Sequence, residues 1–355
     1  MAITLLDGVV NKEIVVGKET RELSDMVKNP DLSLVDRVES FEDIMSLEVG
    51  DTALSRARNI EREQDIRQLY LKYEGGNPTG TQKDRIAFAQ VHDALRRGFD
   101  CITVATCGNY GAAMAFAAHL AGIRCVIYIP DSYHTERIRE MERYHAEVRR
   151  HSGSYEDTVE FSTEIAADSD WYDGNPGGQN TPLQIRAYAE IAFEIYDQLR
   201  DAPRIVAVPV SNGTLLAGIY RGFVSLYKRG KTSRIPRMLA ASSTHKNPII
   251  SSFKKGLDRC EDLRSETIRE TKVNEPLINW HSFDGEEALY AINQTHGEAF
   301  HISDKKMIHQ SKVLLEKEGL KVLPASTAGL IGLLELHAQQ PLEPDRYVAI
   351  LTAKE

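Results

Sequence analysis

An α/β protein built on mostly parallel sheets is the fold this sequence predicts, on three observations. Short continuous apolar runs alternate with helix-period segments through most of the chain, the pattern of βαβ units. The runs show little polar alternation, as strands covered by helices on both faces require. Turns rich in glycine, asparagine and hydroxyl residues stand between several runs and the helices after them, where α/β proteins place ligands. The chain has 355 residues, and at ~100–200 residues per domain that is about two domains. Two three-layer α/β domains, or one large α/β unit with an insertion, are therefore expected.

Taken in order, the N-terminal stretch to about residue 45 is polar and weakly patterned, and reads as an extended arm or a frayed terminus. Strands are expected at 69–73, 101–105, 125–129, 204–208, 237–241 and 347–351. Helices are expected over 84–97, stopping at Gly98, and over 111–121, stopping at Gly122. A longer one over 182–199 opens with Pro182, at a position a helix tolerates. Residues 258–298 carry many charges and Trp280 with little periodicity, and read as an insertion or a mobile surface element.

Composition removes several classes. Hydrophobic residues at 42% and charged residues at 27% are ordinary globular values, against disorder, collagen and coiled-coil rods. A net charge of −9 disfavours phosphate backbones and anionic lipid, so neither nucleic acid nor membrane is an expected partner. No run approaches the ~20 apolar residues of a membrane helix, and the opening MAITLLDGVVNKE lacks the marks of a signal peptide. A cytoplasmic protein is expected. Cys101, Cys107, Cys125 and Cys260 form no CxxC pair, so they read as reduced and mostly core filler. No HExxH occurs, and His145 with His151 has no third ligand in view, so no metal is expected. A GxSxG elbow is also lacking, against a serine triad. The run 137–150 mixes both signs and reads as a solvated helix face.

Chemistry concentrates in three loops. In the first, Glu74-Gly-Gly-Asn-Pro-Thr-Gly-Thr-Gln-Lys83-Asp-Arg85, glycines force a tight turn and Lys83 falls at the first turn of a helix. The positive end of a helix disfavours a cation by ~0.3–1 kcal/mol. That suits an amine that must be neutral to attack a carbonyl and form a Schiff base. A solvated surface lysine is the alternative. The second loop, Thr106-Cys-Gly-Asn-Tyr-Gly111, opens a helix whose first amides make an anion site, and Asn109 can hold a hydroxyl or phenolate oxygen. An asparagine at this place can equally be a turn former. The third, Pro209-Val-Ser-Asn-Gly-Thr214, offers backbone donors and two hydroxyls to a phosphate. It matches neither a P-loop nor a dinucleotide fingerprint, so a small phosphate ester is favoured over ATP or NAD. Pyridoxal phosphate uses all three features: its aldehyde needs a lysine, its phosphate a donor-rich loop, and its ring oxygen a hydrogen-bond partner.

These segments resemble the fold-type-II pyridoxal phosphate enzymes, the tryptophan synthase beta superfamily, and among them the threonine synthases. GNPTGTQKDR is similar to the lysine segment NPTGSFKDR, TCGNYG to the SSGN-type substrate and ring loop, SNGT to the phosphate loop, and LPASTAGLIGL to a late serine-rich segment. Asn175-Pro-Gly-Gly-Gln-Asn180 resembles NPxRxEGQK. The resemblance implies Lys83 as Schiff-base lysine and proton shuttle, and Asn109 on the ring oxygen. It implies donors of Thr106, Cys107, Gly108, Asn109 and Tyr110 on the substrate carboxylate. Ser211, Asn212, Gly213 and Thr214 would hold the cofactor phosphate, and Thr352 would face the pyridine nitrogen, where a neutral hydroxyl favours elimination and replacement over transamination.

The resemblance further implies a smaller domain over 60–172 inserted in a larger one of 1–59 plus 173–355, with the cofactor in the cleft between them. A homodimeric lyase of amino-acid biosynthesis is expected, with β,γ-replacement on a phosphorylated homoserine-type substrate. The alternatives are β-replacement or β-elimination on a serine or cysteine derivative, and a noncatalytic sensor that keeps the fold. The departures are Thr81-Gln82 for serine-phenylalanine, Cys107 for a small residue or serine, fewer glycines in the phosphate loop, and a C-terminal TAKE shorter than TGxGxKD. The family's substrate-binding arginines and serines have no assigned counterparts.

Overall fold

The polar N-terminal stretch folds once its few apolar residues share a face. In a computed structural model, which describes residues 16–106, 108–133, 135 and 137–355, helices α1 (Lys18–Lys28) and α2 (Leu34–Glu48) form a hairpin. Ser33 caps α2 by accepting from the Asp36 amide. Val27, Phe41 and Ile44 are fully buried, and Phe41 stacks on Phe88 with ring centroids 5.9 Å apart. The arm or frayed end expected here is thus corrected to two docked helices over residues 18–48. Only three of the hairpin's buried side chains are apolar, and Thr20, Ser24 and Ser40 fill the rest of the buried face, so a search for apolar periodicity passes over it.

There follow β1 (Leu54–Arg56), α3 (Arg58–Gln64), β2 (Leu69–Tyr73), α4 (Lys83–Arg96), β3 (Cys101–Ala105) and α5 (Asn109–Ala121). Next come β4 (Arg124–Pro130), α6 (Ile138–Arg143), β5 (Glu147–His151), α7 (Tyr155–Ser169), β6 (Tyr172–Asp173) and α8 (Thr181–Leu199). Then β7 (Ile205–Pro209), α9 (Thr214–Lys228), β8 (Arg237–Ser243), α10 (Pro248–Lys254) and α11 (Gly285–Gln294) lead to β9 (Glu298–Ile302). The chain closes with α12 (Asp304–Glu318), α13 (Ala328–Gln339) and β10 (Tyr347–Leu351).

The strands form two sheets. The larger has six strands in the order β1-β2-β10-β7-β8-β9, parallel except for the antiparallel β1. The smaller has four parallel strands in the order β5-β4-β3-β6. Strands β3, β7 and β10 are buried along their whole length, which is why they read as unbroken apolar runs. Every expected strand forms, and so do the three expected helices. The run 137–150 is not one solvated helix face: it divides into α6, a turn and the edge strand β5. Residues 258–298 also belong to the body of the protein, since they end in α11 and in β9, which pairs with β8.

Candidate active site

The loops that carry chemistry all leave the C-terminal ends of parallel strands, where open α/β sheets bind ligands. After β2 the chain turns through Glu74 to Gln82 and enters α4 at Lys83. Buried charge fixes the turn. The Arg85 guanidinium donates to Glu74 at 2.6 and 2.9 Å and to Glu194 on α8 at 2.6 and 2.9 Å. Lys72 on β2 donates to the same Glu194 carboxylate at 2.6 Å and to the Thr52 carbonyl at 2.6 Å. Asp84 accepts from the amide and hydroxyl of Thr79 at 3.0 and 2.8 Å. Lys83 is therefore followed in sequence by two immobilised residues, Asp84 and Arg85.

Its own amine is uncommitted. The Lys83 ammonium nitrogen lies 5.3 Å from the centre of the Tyr110 ring, and no described residue pairs with it. Burial pushes this amine down to about 8, opposed by the charge of Asp284. A solvated surface lysine has neither property. The Tyr110 ring is held in turn by its hydroxyl, which donates to the Gly174 carbonyl at 2.7 Å and receives a bond from Gln90.

On the smaller sheet, α5 begins at Asn109. The Thr106 amide donates to the Tyr128 carbonyl at 3.0 Å and the Gly108 amide to the Thr106 hydroxyl at 3.3 Å. The amides of Asn109 and Tyr110, in the first turn of the helix, donate to no described residue and are open to an anion. Cys107 lies outside the described residues. The Asn109 side-chain oxygen accepts from Arg137 at 2.6 Å, and Arg137 also donates to the Thr79 carbonyl at 2.9 Å. Arg137 thereby ties the Lys83 loop to the Asn109 loop.

After β7, residues Ser211 to Gly213 lead into the 15-residue helix α9 at Thr214. None of the amides of Asn212, Gly213 and Thr214 donates to a described residue. Gly213 has φ +99°, and a Cβ there would stand 2.7 Å from the Asp284 carbonyl oxygen, so only glycine fits this close approach. The loop is braced by the stretch that looked irregular in sequence. Asn279 donates to the Asn212 side-chain oxygen at 3.0 Å, and the Asp284 amide donates to the Asn212 carbonyl at 3.1 Å. The Asp284 carboxylate accepts from the Thr214 hydroxyl, and burial pushes its pKa up.

Beyond β10, the Thr352 hydroxyl lies 3.0 Å from the Ser326 hydroxyl, at the turn preceding α13, and the Gln82 amide donates to the Thr352 carbonyl at 2.9 Å. Thr352 is thus one residue's contact away from Lys83. Among the described residues no group of three His, Cys, Asp or Glu side chains could hold a metal ion.

An uncommitted, deprotonatable lysine faces an aromatic ring, and the loops tied to its own carry helix-start amides and a neutral hydroxyl pair. Such an arrangement has the chemistry to take a carbonyl-bearing phosphate cofactor. The pyridoxal-phosphate-dependent enzyme family model matches residues 45–353, and the chain belongs to that family. It is 30% identical over 316 residues to the threonine synthase of Methanocaldococcus jannaschii, covering 87% of this chain and 75% of that protein. It is 29% identical over 327 residues to a Bacillus threonine synthase, covering 92% and 84%. Among solved structures, maize serine racemase superimposes with a TM-score of 0.73 at 19% identity, covering 90% of this chain and 94% of that one. The protein is a pyridoxal-phosphate-dependent lyase similar to threonine synthase.

The residues present fit pyridoxal phosphate. The unpartnered amides at the start of α9 match a phosphate, the free amine of Lys83 an aldehyde, and a hydroxyl an uncharged pyridine nitrogen. Four residues close to the site drew no role from sequence. Ser326 was visible within the late serine-rich segment, and Asp84 within the lysine motif itself. Arg137 was indistinguishable from its charged neighbours, and Asp284 lies about 200 positions from Lys83 in a stretch with no readable period.

Proposed function

We propose that the protein catalyses threonine synthase-like β,γ-replacement on a phosphorylated homoserine-type amino acid, releasing phosphate and adding water. The observation that carries this reading is the Lys83 amine, lowered to about 8 by burial and without a hydrogen-bond or ion-pair partner among the described residues, in a chain whose relatives include threonine synthases. In this reading Lys83 holds the cofactor and moves protons at the α- and β-carbons of the substrate. Bound pyridoxal phosphate supplies an electron-withdrawing ring that makes the α-hydrogen acidic. The Asn109 amide meets the ring oxygen, the Thr352 hydroxyl the pyridine nitrogen, and the loop Ser211, Asn212, Gly213 and Thr214 the phosphate. The free amides of Asn109 and Tyr110 orient the substrate carboxylate, and Tyr110 keeps the space beside Lys83 apolar.

A lysine with a pKa near 8 exchanges protons readily in either direction near neutral pH, which a shuttle between two adjacent carbons requires. The same reading includes the division into a 60–172 domain inserted in the rest, a homodimer and a cytoplasmic setting. The test is to incubate the protein with O-phosphohomoserine, O-phosphoserine, O-acetylserine and threonine and to assay phosphate, acetate and keto acid. Phosphate together with threonine from O-phosphohomoserine is expected. Phosphate released only from O-phosphoserine eliminates this reading in favour of serine-derivative chemistry.

A further inference from the structure

We propose that Arg137 is a positioning residue that sets which way the Asn109 amide faces the cofactor. The inference rests on the reading that Asn109 meets the cofactor's ring oxygen. A guanidinium carries donors only, whereas a carboxamide has an accepting oxygen at one end and a donating nitrogen at the other. Arg137 Nη1 lies 2.6 Å from the end of the Asn109 side chain, and only an oxygen tolerates a donor at that distance. The contact therefore assigns the oxygen to Arg137. The Asn109 Nδ2 group, which donates to no described residue, is left to donate into the site. An inverted amide would turn its oxygen toward the ring oxygen and repel it.

Arg137 is itself held rigidly. Its Nη2 donates to the Thr79 carbonyl at 2.9 Å, and Nε and Nη2 donate to Glu140 at 3.0 and 2.6 Å. The two side chains are only 19% and 16% exposed. With its donors committed in three directions, Arg137 acts as a brace between the Lys83 loop, the start of α5 and helix α6, rather than as a receptor for a free anion. Among the described residues, the charged groups facing it are Glu140 from α6 and the buried Asp84 from α4.

The test uses the cofactor-loaded protein and the variants Arg137→Met, Arg137→Lys, Asn109→Ala and Arg137→Met/Asn109→Ala. The readouts are the visible band of the bound cofactor, its pH midpoint, and the affinity for pyridoxal phosphate. A donor to the ring oxygen is worth most when that oxygen carries no proton, so its loss raises the midpoint. Arg137→Met should raise the midpoint by about half a unit to one unit, the worth of one hydrogen bond. Arg137→Lys, which keeps a donor, should recover part of the shift. In the Asn109→Ala background Arg137→Met should add nothing, because the two residues act as one unit.

A wild-type band and midpoint in Arg137→Met, or a full further shift in the Asn109→Ala background, overturns the inference. Should Arg137→Met not fold, Arg137→Gln, neutral and close in length, is judged by the same two criteria. An Asn109→Ala variant with a wild-type band overturns the Asn109 reading as well, whereas a silent Arg137→Met beside an altered Asn109→Ala overturns this inference alone.

Discussion

Glu194→Gln is the perturbation that most directly probes how the Lys83 loop is held in place. The Glu194 carboxylate receives both Lys72 and Arg85 at 2.6 Å, and the three side chains are 13%, 0% and 3% exposed. So little water reaches them that the interaction is hardly screened. Breaking a buried ion pair from one side costs about 3–5 kcal/mol, because a charge is left without its counter-ion. Glutamine keeps one acceptor oxygen and Lys72 keeps the Thr52 carbonyl at 2.6 Å, so the lower end, about 3 kcal/mol, is expected. At about 2–4 °C per kcal/mol this lowers Tm by about 6–12 °C. Thermal unfolding followed by circular dichroism measures it. Because Arg85 lies two residues after Lys83 in α4, cofactor retention should weaken as well. The double variant Lys72→Met/Glu194→Gln should regain part of the loss, since it removes the stranded cation. A single variant that melts within about 2 °C of wild type would refute the reasoning.

Three further outcomes follow from the same geometry. Burial pushes the Asp84 carboxyl up to about 7; the unfolded chain ionises first, so stability falls as pH rises from the ordinary 3.8 toward 7. Asp84→Asn should flatten that slope in urea titrations at about pH 5 and about pH 8, and an unchanged slope counts against it. The Glu194 carboxylate, held at about 2 by Arg85 and Lys72 against its burial, contributes stability that is lost as pH falls from 4.5 toward 2. Glu194→Gln should therefore narrow its stability deficit in that window, a convergence readable from denaturation midpoints. Gly213→Ala forces a side chain into a backbone at φ +99° and to 2.7 Å from a carbonyl oxygen. It should weaken pyridoxal phosphate binding ~5–30-fold, on ~1–2 kcal/mol of strain; equal affinity by fluorescence titration argues against this loop as the phosphate site.

Much of the fold was legible because parallel strands buried on both faces leave unbroken apolar runs, as CITVA at 101–105 and YVAIL at 347–351 do. The strands missed were those lacking this property. β5, EVRRH, lies at a sheet edge, is mostly half-exposed, and holds its arginines on Glu147, Tyr128 and Pro130. The hairpin α1–α2 was missed because its apolar burial rests on Val27, Phe41 and Ile44 across 31 residues, from Lys18 to Glu48. In the candidate site, local motifs pointed to Lys83, Asn109 and the loop 211–214, since each stands in a short glycine- or asparagine-bearing turn that a sequence window contains whole. Partners supplied from a distance, such as Glu194 under Arg85, Asp284 on Thr214 and Arg137 on Asn109, leave no local trace. Their roles depend on which strands become neighbours, and a single sequence does not encode that in any short window.

Lys83 is proposed as the amine that holds the cofactor. Its burial to a pKa of about 8 predicts that apoprotein combines with pyridoxal phosphate faster as pH rises through that value, because only the neutral amine attacks. The decisive measurement is borohydride reduction of the cofactor-loaded protein at about pH 8, followed by peptide mapping. One modified peptide with the added mass on Lys83 is the result expected. Modification of a different lysine, or no adduct in protein saturated with pyridoxal phosphate, contradicts the account.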